Sequence, residues 1–273
     1  MTKTRIIGEF PVFDIHAHVF PAKILDRAVV SIGTFYDLNM QMDGTLDTLM
    51  SQAIALNISK SAIFSTATRK SQVSSIHQFI HDVVADSNGR FIGFGTLHPE
   101  MSAAEIQEEI EHIDALGLRG IKLHPDFQSI AADSDEVFAM AEAAEDRLPI
   151  LFHAGDYRYD FSHPEQIAKL AVNFPKLTII AAHFGGWSEW YKSPEILSKY
   201  ENVVVDTSSS MAFMSDEMIR SLINAFGTDR VLFGTDYPMW NAKDEIQRLL
   251  DLGYTDEEYQ KIFMDNARAI TKS

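Results

Sequence analysis

The sequence predicts an α/β fold of the (β/α)8 TIM-barrel class, formed by a single domain over residues 1–273. Eight short runs of β-branched and aromatic residues alternate with longer amphipathic stretches, which is the pattern of repeated βα units around a parallel sheet. Eight such units need about 250 residues, and the chain has 273. An open, doubly wound sheet is the alternative, but its usual glycine-rich fingerprint does not follow the first predicted strand.

Most of the predicted strands end in a polar residue. In chain order the strands cover residues 11–18, 61–65, 91–97, 120–124, 149–153, 177–183, 202–206 and 230–236. Each run is too short for a typical helix and is rich in residues that favour strands. The polar ends are expected at the carboxyl side of the barrel, where active sites of this fold are assembled.

Amphipathic stretches fill the gaps between the strands, most clearly at residues 103–116, 135–145, 215–226 and 242–252. In the first of these, Ile106, Ile110 and Ile113 recur at spacings of four and three, which predicts an apolar stripe that packs on a sheet. Ser102 and Glu105 stand three residues apart at its start and predict a capping box.

The first βα connection is too long for a simple turn. Residues 18–45 separate the first strand from the next helical pattern and include Phe20, Phe35, Tyr36 and Met40. A long first loop on a barrel lies above the mouth, where it can act as a lid or set specificity. The other interpretation is a helical excursion that only packs on the rim.

The composition is that of a globular protein with an acidic surface. The formal net charge of −16 argues against nucleic-acid partners, which require a basic face. No run approaches the roughly 18 apolar residues of a membrane helix, and residues 1–9 lack the apolar stretch of a signal peptide. Cysteine is absent, which fits a reducing compartment. We therefore expect a cytoplasmic protein that acts on a small molecule, with no membrane or nucleic-acid partner; a homodimer is compatible with the fold.

The strongest motif is Asp14-Ile15-His16-Ala17-His18 at the end of the first strand. Side chains alternate across a strand, so His16 and His18 should emerge on one face. Two imidazoles side by side in a barrel interior make half of a metal site.

Further metal-ligating residues end other strands. His124, His153 and His183 end the fourth, fifth and sixth predicted strands, and Asp236 ends the eighth. Since no cysteine is present, a metal there has only nitrogen and oxygen ligands, which favours Zn²⁺, with Mn²⁺, Fe²⁺ or Co²⁺ as alternatives. Three or four protein ligands with one open position would make the site catalytic.

Five motifs resemble the amidohydrolase superfamily, and specifically its branch of small single-domain hydrolases and non-oxidative decarboxylases. They are DIHAH at residues 14–18, GIKLHP at 120–125, FHAG at 152–155, AHFGG at 182–186 and GTDYP at 234–238. The resemblance spans almost the whole chain. It implies that one metal is held by His16, His18, His153 and Asp236. It also implies that His183 lies beside the metal-bound water and acts in proton transfer, or serves as a metal ligand as in related groups.

Lys122 has two interpretations. Other branches of the superfamily carry a carboxylated lysine on the fourth strand that bridges two metals, so a two-metal site with Lys122, His153 and His183 is an alternative to the single metal. In the single-metal interpretation, which the motifs favour, Lys122 is an ammonium that binds an acidic group of the substrate. We assign Lys122, His124 and Arg158 to substrate binding.

The resemblance leaves more than one reaction open. We expect a metal-dependent hydrolase in which a metal-bound water attacks a carbonyl carbon of an amide, ester or lactone, with His183 and Asp236 as the catalytic residues. The alternative is a metal-dependent non-oxidative decarboxylase of a small carboxylic acid. The second alternative is a non-catalytic barrel that binds a metal or a ligand.

Overall fold

A computed structural model describes residues 5–273 of the chain. Residues 1–4, part of the N-terminal segment considered for a signal peptide, lie outside the described residues. All eight predicted strands are present: β1 (Val12–His18), β2 (Ile58–Phe64), β3 (Phe91–Gly93), β4 (Ile121–Leu123), β5 (Ile150–Phe152), β6 (Ile179–Ala181), β7 (Val203–Asp206) and β8 (Val231–Leu232). They are parallel and follow one another around the fold in chain order.

The strands form two sheets that join at both edges. β1, β2 and β3 form one sheet, and β4 to β8 form the other. Isolated bridges from Gly95 to Ile121 and from Ala17 to Tyr237 connect the two sheets, so the eight strands close into a ring. Backbone hydrogen bonds support both junctions, for example from the His18 amide to the Tyr237 carbonyl at 2.7 Å. The predicted (β/α)8 TIM barrel is therefore confirmed.

Helices cover the outside of the ring and the mouth. They are α1 (Leu25–Tyr36), α2 (Leu46–Ala55), α3 (Val73–Asp86), α4 (Ala103–Ala115), α5 (Pro125–Gln128), α6 (Asp135–Ala144), α7 (Pro164–Asn173), α8 (Ser193–Leu197), α9 (Asp216–Phe226), α10 (Ala242–Leu250), α11 (Asp256–Gln260) and α12 (Asn266–Thr271). The capping box at the start of α4 is confirmed, since Ser102 and Glu105 each accept a hydrogen bond from the other's backbone. No helix within residues 5–273 combines the length and apolar character needed to cross a bilayer.

Two apolar layers hold the barrel together. Inside the ring, Phe13, Phe64, Phe94, Leu151 and Ile180 form a buried apolar cluster. A larger core lies between the strands and the surrounding helices. Because side chains at the bottom fill the barrel, polar groups that point inward near the carboxyl ends of the strands collect at the mouth.

The long first connection folds into α1 over this mouth. Tyr36, the last residue of α1, is buried, and its ring packs 5.2 Å from the ring of Trp187. The ring of Phe35 lies 4.9 Å from that of Phe127. This segment therefore covers the mouth with aromatic side chains.

Candidate metal centre

β1 delivers two histidines to the barrel interior. The register of β1 against β2 shifts between Asp14 and Ala17, which indicates a β-bulge in this stretch. His16 lies within the shifted stretch and His18 just after it; their rings lie 5.3 Å apart, and both rings contact Phe64. The predicted placement of the two histidines on one face is confirmed.

Three ligand atoms form a nearly equilateral triangle at the mouth. His16 Nε2 and His18 Nε2 lie 3.3 Å apart, and they lie 3.4 and 3.3 Å from Asp236 Oδ1. Ligand atoms bound at about 2.1 Å to one ion are separated by roughly 3.0 to 3.4 Å in octahedral or tetrahedral coordination. The triangle therefore fits a single divalent ion. His183 also offers a nitrogen within 4.8 Å of ligand atoms on His16 and Asp236.

Asp206, at the end of β7, fixes the orientation of His16. Its Oδ2 accepts a hydrogen bond from His16 Nδ1 at 2.9 Å, which leaves the lone pair of Nε2 directed at the triangle. Asp206 Oδ1 also accepts from the backbone amides of His183 and Ser208, each at 3.0 Å. Burial alone would raise the pKa of Asp206, but His16 and the hydroxyl of Ser208 outweigh burial and hold the pKa below its ordinary value. A buried carboxylate behind a histidine is a common support for a metal ligand.

Local backbone geometry aims His183 and Asp236 into the site. Both residues have left-handed conformations, with φ of 60° and 59°, which non-glycine residues adopt at a cost and often at functional sites. His183 Nδ1 lies 2.9 Å from the Ser208 carbonyl, and Asp236 Oδ2 accepts a hydrogen bond from the Ser209 hydroxyl. Each side chain is thus held by a serine that follows β7, while its other polar atom faces the site.

The protonation states suit metal binding. Burial, reinforced by the charge of Lys122, lowers the pKa of His16 to about 4, and burial likewise lowers the pKa of His18 and His183. Burial would raise the pKa of Asp236, but the adjacent histidines outweigh it and hold the pKa well below its ordinary value. At neutral pH the triangle is therefore two neutral imidazoles and one carboxylate, which is the form that binds metal.

Lys122 on β4 places a buried amine beside the triangle. Its side chain is fully buried, with Nζ 3.2 Å from His16 Nε2 and 5.1 Å above the ring centre of Phe64. Burial lowers the pKa of Lys122 to about 8, although the charges of Asp236 and Asp206 act in the opposite direction. Lys122 thus remains mainly an ammonium at pH 7.

His153 and His124 lie next to the triangle and contact other groups. His153 Nδ1 lies 3.0 Å from His183 Nε2, and its Nε2 lies 3.4 Å from Asp126 Oδ2. The Tyr36 hydroxyl bridges the two rings, 3.0 Å from His124 Nε2 and 3.4 Å from His153 Nε2. The metal-ligand role of His153 and the substrate-binding role of His124 remain predictions.

Sequence reasoning did not identify Asp126, and it did not foresee that Tyr36 reaches these histidines. Asp126 follows His124-Pro125 directly, and that proximity was the only signal for it in the sequence.

Arg158 lies at the edge of the mouth with its guanidinium occupied by other protein groups. It donates to both carboxylate oxygens of Asp156, at 2.9 and 2.7 Å, and to the Phe35 carbonyl at 2.9 Å. The guanidinium also lies 5.0 Å from the ring centre of Phe35 and 5.6 Å from that of Trp187. These contacts tie α1 to the loop after β5. The predicted role of Arg158 in substrate binding stays a prediction.

The mouth holds a small inner cavity that shares lining residues with a large groove. The cavity has a volume of about 20 Å³ and is lined by His18, Tyr36, His183 and Asp236 among others. The groove has a volume of about 1480 Å³ and runs between α1 and the start of α3. Phe127 and His18 line both spaces. The inner cavity has room for about one water molecule, so a substrate must approach from the groove and displace Tyr36 or neighbouring side chains.

The chain is similar to a known protein family in sequence and to several solved structures in fold. A family model described as Amidohydrolase matches residues 13–270. An uncharacterized TIM-barrel protein from Bordetella bronchiseptica is 19% identical, with a TM-score of 0.78 and coverage of 95% of this chain and 97% of that one. A 2,6-dihydroxybenzoate decarboxylase from Rhizobium is 17% identical, with a TM-score of 0.74 and coverage of 96% and 99%.

A dihydroxybenzoic acid decarboxylase from Polaromonas sp. JS666, with bound manganese and the inhibitor 2-nitroresorcinol, is also similar. It is 16% identical to this chain, with a TM-score of 0.75 and coverage of 96% and 97%. At these identities the structural likeness establishes the fold and leaves the reaction to be argued from the site.

Proposed function

The chain belongs to the amidohydrolase family whose model it matches over residues 13–270, and from that premise we propose that it is a metal-dependent non-oxidative decarboxylase of a small, apolar carboxylic acid. The expected hydrolase activity is not confirmed, and the decarboxylase alternative has the better support. Solved structures that share its fold include decarboxylases of dihydroxybenzoate, one of them with manganese bound. Manganese thus joins zinc as a metal to test.

The observation that carries the proposal is the buried ammonium of Lys122, 3.2 Å from His16 Nε2. Lys122 offsets one of the two carboxylates whose charges act on it, Asp206 and Asp236, and the histidines are neutral. Burial raises the pKa of the neighbouring acids Asp14 and Asp126 to about 7. With those two acids protonated, a divalent ion leaves one net positive charge in the site, which a single substrate carboxylate balances. A neutral amide or ester carries no such charge, so with that substrate a hydroxide ion would have to balance the site.

The residues that line the groove support a substrate with an apolar body and a carboxylate group. Its walls include the rings of Phe20 and Phe35. Three cationic side chains, Lys23, Arg27 and Arg69, also line it against one carboxylate, Asp82. Within residues 5–273 none of these three cations forms an ion pair. In a chain with a formal net charge of −16, this local positive charge favours the approach of an anion.

Different residues have different roles in the proposed reaction. His16, His18 and Asp236 would hold the ion, and when bound the ion supplies positive charge to a substrate carboxylate or hydroxyl oxygen. Lys122 binds the carboxylate and orients the bond that breaks. That bond joins the substrate carbon to the carboxyl carbon; its electron pair stays on the substrate carbon, CO₂ leaves, and a proton takes the place of CO₂.

His183 is the residue best placed to handle that proton. If its Nδ1–H donates to the Ser208 carbonyl, Nε2 is left facing the site. His153 Nδ1 lies 3.0 Å from His183 Nε2 and can pass it a proton that enters from solvent. His183 Nε2 then gives that proton to the carbon that CO₂ leaves, so each turnover takes up one proton from water. General acid catalysis requires that the nitrogen that gives the proton lies within hydrogen-bond reach of the carbon that receives it.

The test is a parallel assay on acids and on neutral carbonyl compounds. Protein loaded with Mn²⁺ or Zn²⁺ would be incubated with hydroxybenzoic acids, including 2,6-dihydroxybenzoate, and with esters, lactones and anilides. We expect CO₂ release from at least one acid, lost in Asp236→Asn and kept in the exposed control Asp37→Asn. Hydrolysis without CO₂ release, or turnover of neither class, would overturn the proposal.

A further inference from the structure

We propose that the barrel carries a second metal-binding site, for a divalent transition metal such as Zn²⁺, on its outer side between α3 and α4. Its ligands are His77 on α3 and Glu109 and His112 on α4. None of these residues belongs to the metal centre at the mouth, and the inference is independent of the proposed reaction.

The donor atoms are already gathered around one point. Glu109 Oε1 lies 2.8 Å from His77 Nδ1 and 3.0 Å from His112 Nδ1, and all three ligand atoms lie within 4.8 Å of one another. Glu109 and His112 are three residues apart on one face of α4, so the helix itself sets their spacing. Atoms bound to one ion at about 2.1 Å are separated by roughly 3 Å, which matches the two distances from Glu109 Oε1; the two histidine nitrogens lie within 4.8 Å of each other.

The surroundings of His77 allow its Nδ1 to act as a ligand. His77 is buried, and its Nε2 lies 2.9 Å from both the carbonyl oxygen and the amide nitrogen of Thr96. When Nδ1 donates its proton to Glu109, Nε2 accepts from the Thr96 amide. When an ion replaces that proton, Nε2 carries the hydrogen and donates to the Thr96 carbonyl, which is the usual support for a metal-bound histidine. His77 therefore keeps a partner in both states.

The site is accessible on one side. The His77 side chain is fully buried, but the side chains of Glu109 and His112 are 18% and 40% exposed. An ion can therefore enter from solvent, with water completing its coordination. Because two of its three ligands are partly exposed, whereas those at the mouth are largely buried, we expect this site to bind more weakly than the centre at the mouth and to release its ion on dialysis.

The experiment isolates this site by disabling the other one. Metal-free protein carrying His16→Ala would be titrated with Zn²⁺ by calorimetry and, separately, with Co²⁺ by visible absorption. We expect about one equivalent to bind, with a rise in the melting temperature on adding Zn²⁺, because an ion that binds only the folded state stabilises it.

Adding His112→Ala should abolish both the binding and the rise in melting temperature. Glu109→Gln should weaken binding, and Glu108→Gln, an exposed neighbour on α4, is the matched control that should not. His112 is exposed enough for its replacement to leave the fold intact, which circular dichroism would verify. No binding to the His16→Ala protein, or binding that survives the addition of His112→Ala, would overturn the proposal.

Discussion

Lys122→Met is expected to lower kcat/KM for the substrate acid by about 100-fold to 1000-fold while leaving the metal content of the mouth unchanged. A charge-assisted hydrogen bond to a buried carboxylate is worth roughly 3 to 4 kcal/mol when one partner is removed. Methionine is similar in size to lysine and is apolar, so the buried position tolerates it. Steady-state kinetics with metal analysis of the same preparation measures both quantities.

The matched control for this prediction is Lys60→Met, a lysine on β2 outside the metal centre. It should keep wild-type kinetics. A loss of half the bound metal in Lys122→Met would instead identify Lys122 as a carboxylated ligand that bridges two ions. Unchanged kcat/KM for the acid would show that Lys122 does not bind its carboxylate.

His183→Asn is expected to lower kcat by about 100-fold to 10,000-fold with little change in KM, since a positioned proton donor contributes that much to a rate. Asparagine can keep the hydrogen bond that His183 makes to the Ser208 carbonyl, so the local backbone should hold. Steady-state kinetics in H₂O and D₂O measures the loss and reports whether proton transfer limits the rate.

His81→Asn is the matched control for this variant. His81 lies on α3, away from the mouth, and its Nδ1 is hydrogen-bonded to the Leu116 carbonyl. Its replacement should leave kcat unaltered. If His183→Asn keeps its kcat, the proton comes from another group, and Asp236 becomes the first residue to test.

The position of the metal centre could be predicted from the sequence because one rule places its residues. In a parallel barrel, residues that end strands meet at one face; His18, His183 and Asp236 end predicted strands, and His16 stands two residues before the end of the first. Alternation along β1 put His16 and His18 on one face. Both steps use only the positions of the strands in the sequence and the alternation of side chains along a strand. Neither step requires knowledge of contacts between distant residues.

The supporting contacts could not be predicted, because they join distant parts of the chain. Asp206 and His16 are 190 residues apart and meet only because the ring closes. Tyr36 reaches the mouth because α1 folds back over it, which depends on the packing of Phe35 and Trp187 rather than on a local pattern.

Arg158 illustrates the limit of assigning a lone charge in a loop. The sequence predicted a cation near the mouth. In the structure the Arg158 guanidinium donates two hydrogen bonds to the carboxylate of Asp156, two residues earlier. Asp156 has a φ of 107°, a conformation that no side-chain pattern indicates. A hydrogen bond to the Phe35 carbonyl also ties Arg158 to α1.

The central claim is that the triangle of His16, His18 and Asp236 holds one catalytic divalent ion, and metal content per chain tests it most directly. The measurement compares His112→Ala protein, in which the second site is removed, with and without His16→Ala, after dialysis against metal-free buffer. We predict about one equivalent of a divalent ion in the first protein and roughly a tenth or less in the second. An equal metal content in the two proteins, or none in either after reconstitution with manganese or zinc, would contradict the claim.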